Sequence, residues 1–412
     1  MTHASPDDAL LPVEEARARA LALLHPLSTE RVPVAQAVGR CLAEDLRAGR
    51  TLPPWNNSAM DGYALRSADA RGPFPQRLPV GETLYAGQQA RAALPPGHCA
   101  RVMTGAPLPS GADAVVMQER VRADPQGAWM ELAGPVPAGQ FVREEGEDAR
   151  AGAPLLARGT PLGLPEVGLL LAQGLGTALV PRRPRVAVLS TGDELCRADE
   201  APAGRIVDTN GPLLCLAVAR AGGLPTHLGI ARDTLEDVEA HLADTAAYDV
   251  VLTSAGVSVG AHDYVREALQ RRGVQMDFWR VAVKPGKPLA VGRRGAQVYF
   301  GLPGNPTSSL VSFELFVRPA LRRLLGFEAV EPERVPGRLE GELQKPPGLA
   351  HYVRVRASWR AGELWAQPLG TQTSGVLRSS SAATHLLHVP REASGLAHGA
   401  PVELLPVSWA VG

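Results

Sequence analysis

Cysteine is scarce in this chain. Cys41, Cys99, Cys196 and Cys215 are scattered over 412 positions, with neither CxxC nor Cys/His ligand spacing. That argues against a thiolate metal centre and a disulfide framework, and isolated buried thiols are expected. An excess of one charge is also missing. Lys plus Arg and Asp plus Glu both number 42, which argues against a nucleic-acid binder working by bulk charge. The longest apolar stretch, around residues 162–180, is interrupted by Pro165, Glu166 and several glycines. No membrane span is expected there. The N-terminus has no basic segment followed by an apolar one, so no signal peptide is expected and the chain is read as cytoplasmic. Aromatics make up only 5%, and no Gly/Ser or Gln-rich tract suggests disorder.

What is present is ordinary globular composition with abundant loop formers: 45% hydrophobic, 20% charged, 43 glycines and 37 prolines. At this length three or four structural units are expected. Residues 7–24 carry apolar positions at helical spacing, with Asp7 and Asp8 as N-caps. Short β-like runs at 101–103, 114–118 and 129–132 lie between Pro and Gly turns. We divide the chain into an elongated N-terminal domain (7–28 and 140–181), a β-rich insertion (29–139), an α/β domain (182–330) and a C-terminal small β-barrel (331–412). The boundary near 181–184 is marked by Pro-Arg-Arg-Pro.

Residues 185–326 have the clearest rhythm. Strands are expected at 185–189, 226–230, 249–253, 275–283 and 297–300, and helices at 212–221, 234–246, 264–272 and 307–325. Alternating strand and helix predicts a doubly wound, mainly parallel sheet with helices on both faces. Beyond residue 331 the alternating pattern at 352–356, 363–366 and 401–405 predicts antiparallel strands.

Ligands of open α/β sheets bind beyond the carboxyl ends of the strands. Four loops fall there: STGDE at 190–194, SAGVSVGAHD at 254–263, KPGKP at 284–288 and GLPGNP at 301–306. Such glycine-rich loops expose backbone N–H groups, and a phosphate-bearing ligand is expected. Asp193, Glu194 and Asp263 are hard oxygen donors suited to Mg²⁺. Lys284 and Lys287 would supply point charges to an oxyanion. The usual nucleotide signatures, GxxxxGK[ST] and GxGxxG after the first strand, are absent.

These loops, in this order, resemble those of the molybdopterin molybdenumtransferase family, which includes bacterial MoeA and the E domain of gephyrin. The resemblance extends to NSAMDGYA at 57–64, VMTGAPLP at 102–109, Gly111-Ala-Asp with Glu119, and Gly146-Glu-Asp148. It implies molybdenum insertion from molybdate into adenylated molybdopterin, dependent on Mg²⁺, with release of AMP and molybdenum cofactor. Carried over by motif, Asp193, Glu194 and Asp263 would belong to the metal and pyrophosphate region. Lys284, Lys287 and Ser308 would contact molybdate or the pterin phosphate, with Asn305, Ser258 and Gly256 on the same loops. Arg354 and Ser374 would face the oxyanion. Asp61 and Thr104 would reach the cleft from the other subunit of a homodimer, and a molybdopterin adenylyltransferase is an expected partner.

The chain departs from the family pattern at four places. Ala255 stands for a glycine, Arg280 for a lysine, and Ser381 and Thr384 for an arginine and an asparagine. Two alternatives remain: a molybdopterin adenylyltransferase, whose hallmark Gly-Gly-Thr-Gly is absent, and a dimeric scaffold. The retained carboxylates and lysines favour a working site.

Overall fold

The computed structural model describes residues 10–200, 203–256 and 264–410. By internal contacts the chain divides into two units. The larger comprises Met1–Ala43, Gly159–Leu162 and Ala178–Gly412, and the smaller Glu44–Arg158 and Gly163–Thr177.

The larger unit holds a six-stranded sheet built from β1 (Arg185–Thr191), β2 (Leu224–Ala231), β3 (Val250–Ser254), β4 (Gln275–Arg280), β6 (Pro288–Arg294) and β7 (Gln297–Leu302). Its order is β2-β1-β3-β7-β6-β4. The first four are parallel, while β6 runs antiparallel to β7 and to β4. The central strands are apolar on both faces, as a doubly covered parallel sheet demands: β3 and β7 are buried along their whole length, whereas edge strand β2 is half-exposed. Helices α1 (Asn210–Arg220), α2 (Leu235–Leu242) and α3 (Tyr264–Arg271) follow β1, β2 and β3.

Two expectations change here. The run 275–283 is two strands, β4 and the two-residue β5 (Val283–Lys284), and β6 is a further strand in a stretch where none is expected. Flanking prolines and glycines hid a buried strand whose register is set by the neighbouring hairpin. The helix expected at 307–325 is α4 (Pro306–Ser312), a π-helical turn at Phe313–Val317, and α5 (Arg318–Leu324). Pro319 has no amide to donate, which loosens the ladder where the wide turn occurs. The N-terminal helix covers Val13–Ala22 with Pro12 at its N-cap; Asp7 and Asp8 lie outside the described residues.

Residues beyond 331 close into a barrel. Strands β8 (Val335–Leu339), β9 (Ala350–Arg360), β10 (Glu363–Pro368), β11 (His385–Val389) and β12 (Pro401–Pro406) pair in the circuit β9-β10-β8-β12-β11-β9. All neighbours are antiparallel except β8 with β10. Strand alternation sends Val353 and Val355 into the barrel core and Tyr352 into the core shared with the α/β sheet. Strand β5 adds to β9 in parallel, pairing Val283 with Ala350 and Lys284 with His351. On its other side Ala282 N–H donates to Leu11 O at 2.8 Å. The segment before the KPGKP loop is thereby held from both sides.

The smaller unit carries a second six-stranded sheet, in the order Ala114–Met117, Gly62–Leu65, Cys99–Val102, Gln76–Leu84, Trp129–Leu132, Arg122–Ala123, and the helix Leu164–Ala172. Among the described residues of the chain, no helix is long and apolar enough to cross a membrane.

Candidate functional site

The carboxyl edge of the α/β sheet opens into a cavity of about 1100 Å³. Because β4 runs parallel to β7 through two antiparallel pairings, the KPGKP loop after β4 lies at the same edge as the loops after β1, β3 and β7. Each of these four loops contributes to the wall: Glu194 after β1, Ala255 and Gly256 after β3, Lys284 and Lys287 after β4, and Asn305 after β7, with Ser308 from α4. The barrel contributes Ser374 through its 371–375 loop.

Charge is laid out unevenly. The side chains of Lys284 and Lys287 are exposed and make no hydrogen bond or ion pair among the described residues. The Glu194 carboxylate folds over the backbone of Gly192 (φ +145°), where a Cβ would lie 2.6 Å from Glu194 Oε2. Glycine at 192 is what leaves that carboxylate its place. Asn305 Nδ2 donates to Ser374 Oγ at 2.9 Å, and Thr307 N–H donates to Ser374 O at 3.2 Å. These contacts seat the barrel loop on the start of α4.

Several expected residues stand elsewhere. Asp193 is absent from the cavity wall among the described residues. Its backbone N–H donates to Asp233 Oδ2 at 3.4 Å, and its Oδ1 accepts from Asp233 N–H at 3.2 Å. This reciprocal pair ties one oxygen of the Asp193 side chain to the loop after β2. Arg354 does not face the cavity either. It is fully buried, with Nε donating to Ser379 Oγ at 2.9 Å and Nη2 to the carbonyls of Thr371 and Thr373 at 3.1 Å. It braces the 371–379 loop from beneath through Nε and Nη2, while its buried Nη1 has no hydrogen-bond partner among the described residues. Ser381 Oγ donates to Arg378 O, and Thr384 Oγ1 accepts from Ala357 N–H and lies 2.9 Å from His385 Nδ1. Ser258 and Asp263 lie outside the described residues.

Asp61 and Thr104 belong to the smaller unit. The Thr104 backbone N–H and hydroxyl both donate to Asp61 Oδ1 at 2.7 Å. Those two bonds hold the exposed carboxyl below the usual carboxylate range.

The sequence reading missed Asp208 and Asn210, which also line the cavity. Asn210 Nδ2 donates to Ser254 Oγ at 2.8 Å and to Gly304 O at 2.6 Å, tying the loops after β3 and β7 to the start of α1. The available signal was Asp208-Thr-Asn ahead of the 212–221 helical run, an acceptor-rich entry to a helix.

A departure from the family pattern gains a physical meaning. Ala255 adopts φ +76°, the left-handed region in which glycine is unstrained. Its methyl approaches Gly304, where a Cβ would come within 3.1 Å.

Among the described residues no three His, Cys, Asp or Glu side chains cluster as a metal site. Glu194 is the cavity carboxylate of the expected metal set, and one carboxylate combined with substrate phosphates is a donor set that Mg²⁺ accepts.

Comparison with known proteins agrees with this architecture. Family models match in three stretches: a MoeA N-terminal region (domains I and II) over residues 11–174, a probable molybdopterin binding domain over 187–323, and a MoeA C-terminal region (domain IV) over 336–407. A molybdopterin molybdenumtransferase of Synechococcus elongatus is 37% identical, spanning 92% of this chain and 94% of its own. Molybdopterin molybdenumtransferase 2 of Mycobacterium tuberculosis is 36% identical over 90% and 94%. The crystal structure of a molybdopterin biosynthesis MoeA protein from Pyrococcus horikoshii OT3 matches with a TM-score of 0.84 at 30% identity, covering 97% of this chain and 100% of that one. With this identity over nearly its whole length, and with cations and carboxylates facing one cavity, the chain belongs to the molybdopterin molybdenumtransferase family of enzymes.

Proposed function

We propose that this enzyme transfers molybdenum from molybdate into adenylated molybdopterin, with Mg²⁺-dependent release of AMP and finished molybdenum cofactor. The observation that carries the reading is the pair of exposed lysines, Lys284 and Lys287, whose side chains are unpartnered among the described residues, on the wall of a cavity that also presents the Glu194 carboxylate. Unpaired cations suit a ligand that brings its own negative charge.

Cleaving a phosphoanhydride needs charge neutralisation and positioning more than a strong protein nucleophile. Lys284 and Lys287 neutralise phosphate and molybdate oxygens, and Asn305, Ser308, Ser374, Ser258 and the Gly256 N–H donate hydrogen bonds to the same anions. Glu194 and Asp263 would hold Mg²⁺, which when bound offsets charge on the adenylate phosphates. The dithiolate that receives molybdenum comes from the substrate, so no protein thiolate is required. Arg354 serves by keeping the 371–379 loop, and with it Ser374, in place. A homodimer, with Asp61 and Thr104 acting in the cavity of the second copy, is part of the proposal, as is delivery of substrate by a molybdopterin adenylyltransferase.

The test is incubation with adenylated molybdopterin, molybdate and Mg²⁺, followed by assay of AMP and cofactor. Both should appear together and both should fail in Glu194→Gln. Formation of adenylated molybdopterin from ATP would instead mark an adenylyltransferase, and binding without turnover would mark a scaffold. Mixing inactive Asp61→Asn with inactive Glu194→Gln should restore part of the activity, and a fully active monomer in sedimentation would remove the dimer from the proposal.

A further inference from the structure

Asp208 meets the cavity, yet only 7% of it is exposed. Its Oδ1 accepts the Gly211 N–H at 3.1 Å, at the start of α1. Its Oδ2 stands 3.5 Å from His227 Nε2. His227 comes from edge strand β2, where it pairs with Val188 of β1, and its side chain is 32% exposed. The hydroxyl of Ser190, on β1, is buried beside them. All three side chains converge on the bare Cα of Gly211. A Cβ there would lie 2.2 Å from His227 Nε2, 2.7 Å from Asp208 Oδ2 and 2.8 Å from Ser190 Oγ. The absence of a side chain at 211 is what lets the imidazole reach the carboxylate. Among the described residues neither Asp208 Oδ2 nor Ser190 Oγ makes a hydrogen bond, so the 3.5 Å approach of His227 Nε2 is an ion-pair contact with Oδ2.

We propose that His227 is a positioning residue of this site, fixing the rotamer of Asp208 so that one orientation of its carboxylate is presented to the cavity. The inference rests on the proposed function for its activity readout. A carboxylate bonded at one oxygen alone can swing about its side-chain torsions, and a partner on the second oxygen removes that freedom, as outer partners do for other working carboxylates. The electrostatics agree. Burial works to raise the Asp208 pKa, but His227, the Gly211 N–H and the Ser190 hydroxyl outweigh it, leaving the group below its ordinary value and charged at neutral pH. The competing reading makes Asp208 a mere cap of α1 and His227 a bystander on an exposed edge.

Two replacements separate these readings. His227→Leu removes the polar partner, and His227→Gln keeps an N–H donor of similar reach. With adenylated molybdopterin and molybdate as substrates, His227→Leu should lower kcat about ten-fold, with KM for molybdate changed less than about two-fold, and His227→Gln should recover to within about three-fold of wild type. Melting temperatures should match, since a bystander and a positioning group differ in turnover rather than in fold. Wild-type kcat in His227→Leu, or equal losses in the two variants, overturns the proposal. A second measurement does not depend on activity. In ¹⁵N–¹H spectra of the imidazoles, Asp208→Asn should move the His227 ring signals more than those of any other of the ten histidines. If wild type makes no cofactor, the proposed function fails, and this spectrum alone decides the contact: an unmoved His227 ring overturns it.

Discussion

Two adjoining parts of the larger unit carry cationic side chains in opposite ways. On the KPGKP loop, the side chains of Lys284 and Lys287 are exposed and unpartnered among the described residues. On β9, His351, which pairs with Lys284 of β5, is 8% exposed, and Arg354, three residues on, is fully buried. A charge left in water is cheap to keep and free to meet an anion. One taken into the interior must be tied to protein acceptors, as Arg354 is through Nε and Nη2, or lose its proton. His351 does the latter: burial, then the nearby Lys284, Arg354 and Lys345, push it down to about 4. The proposed function accordingly gives the loop cations to the ligand, whereas the strand groups serve the fold.

Replacing Arg354 by Met is the hardest blow to that contrast. It removes three side-chain hydrogen bonds from the 371–379 loop and should cost about 4 kcal/mol in urea unfolding. A loss below about 1 kcal/mol would dissolve the distinction. His351 should show itself in acid. Its folded pKa lies below the unfolded value of about 6.5, so the unfolded chain binds the proton first. Stability should fall as pH drops from about 6.5 to about 4, by up to about 3 kcal/mol, and His351→Gln should flatten that part of the pH curve.

The loop lysines should behave in reverse. Lys284→Ala and Lys287→Ala should each change stability by less than about 0.5 kcal/mol. Molybdate or substrate binding, measured by calorimetry, should weaken by about 1.5–3 kcal/mol; unchanged affinity for both ligands would refute the assignment of that lysine. The smallest effect belongs to Ala255. Relief of its positive φ exceeds the extra chain entropy of glycine, so Ala255→Gly should raise stability by about 0.5 kcal/mol. A destabilised variant would mean that the methyl contact with Gly304 outweighs the strain.

Most of the α/β architecture was legible because period and burial coincide. The strands expected at 185–189 and 249–253 and the helix at 264–272 match β1, β3 and α3 to within two residues. Strand β6 was illegible because its identity depends on pairing with β7 across a turn, which no local pattern encodes. The convergence of four loops on one edge followed from strand order alone. What single residues do at that edge did not. Asp193 and Glu194 are adjacent, yet one is captured by Asp233 and the other lines the cavity. Arg354, placed at the oxyanion by motif, is enclosed because the fold lays the 371–379 loop across it. Asp208 was overlooked because its partners, His227 and Ser190, come from separate strands.

The two-residue strand β5 has a mechanical consequence. Ala350 N–H donates to Ala282 O at 2.8 Å, while Ala282 N–H donates to Leu11 O, so one short peptide stretch stitches together the N-terminal segment, the barrel and the lysine loop. Such shared ladders merge neighbouring elements into one cooperative opening unit. Amide exchange at Ala282, Val283 and Ala350 should then proceed at a common free energy, and any fluctuation that frees the barrel also lets go of Lys284. The proposed anion grip is therefore no more durable than the seam that joins the barrel to the lysine loop.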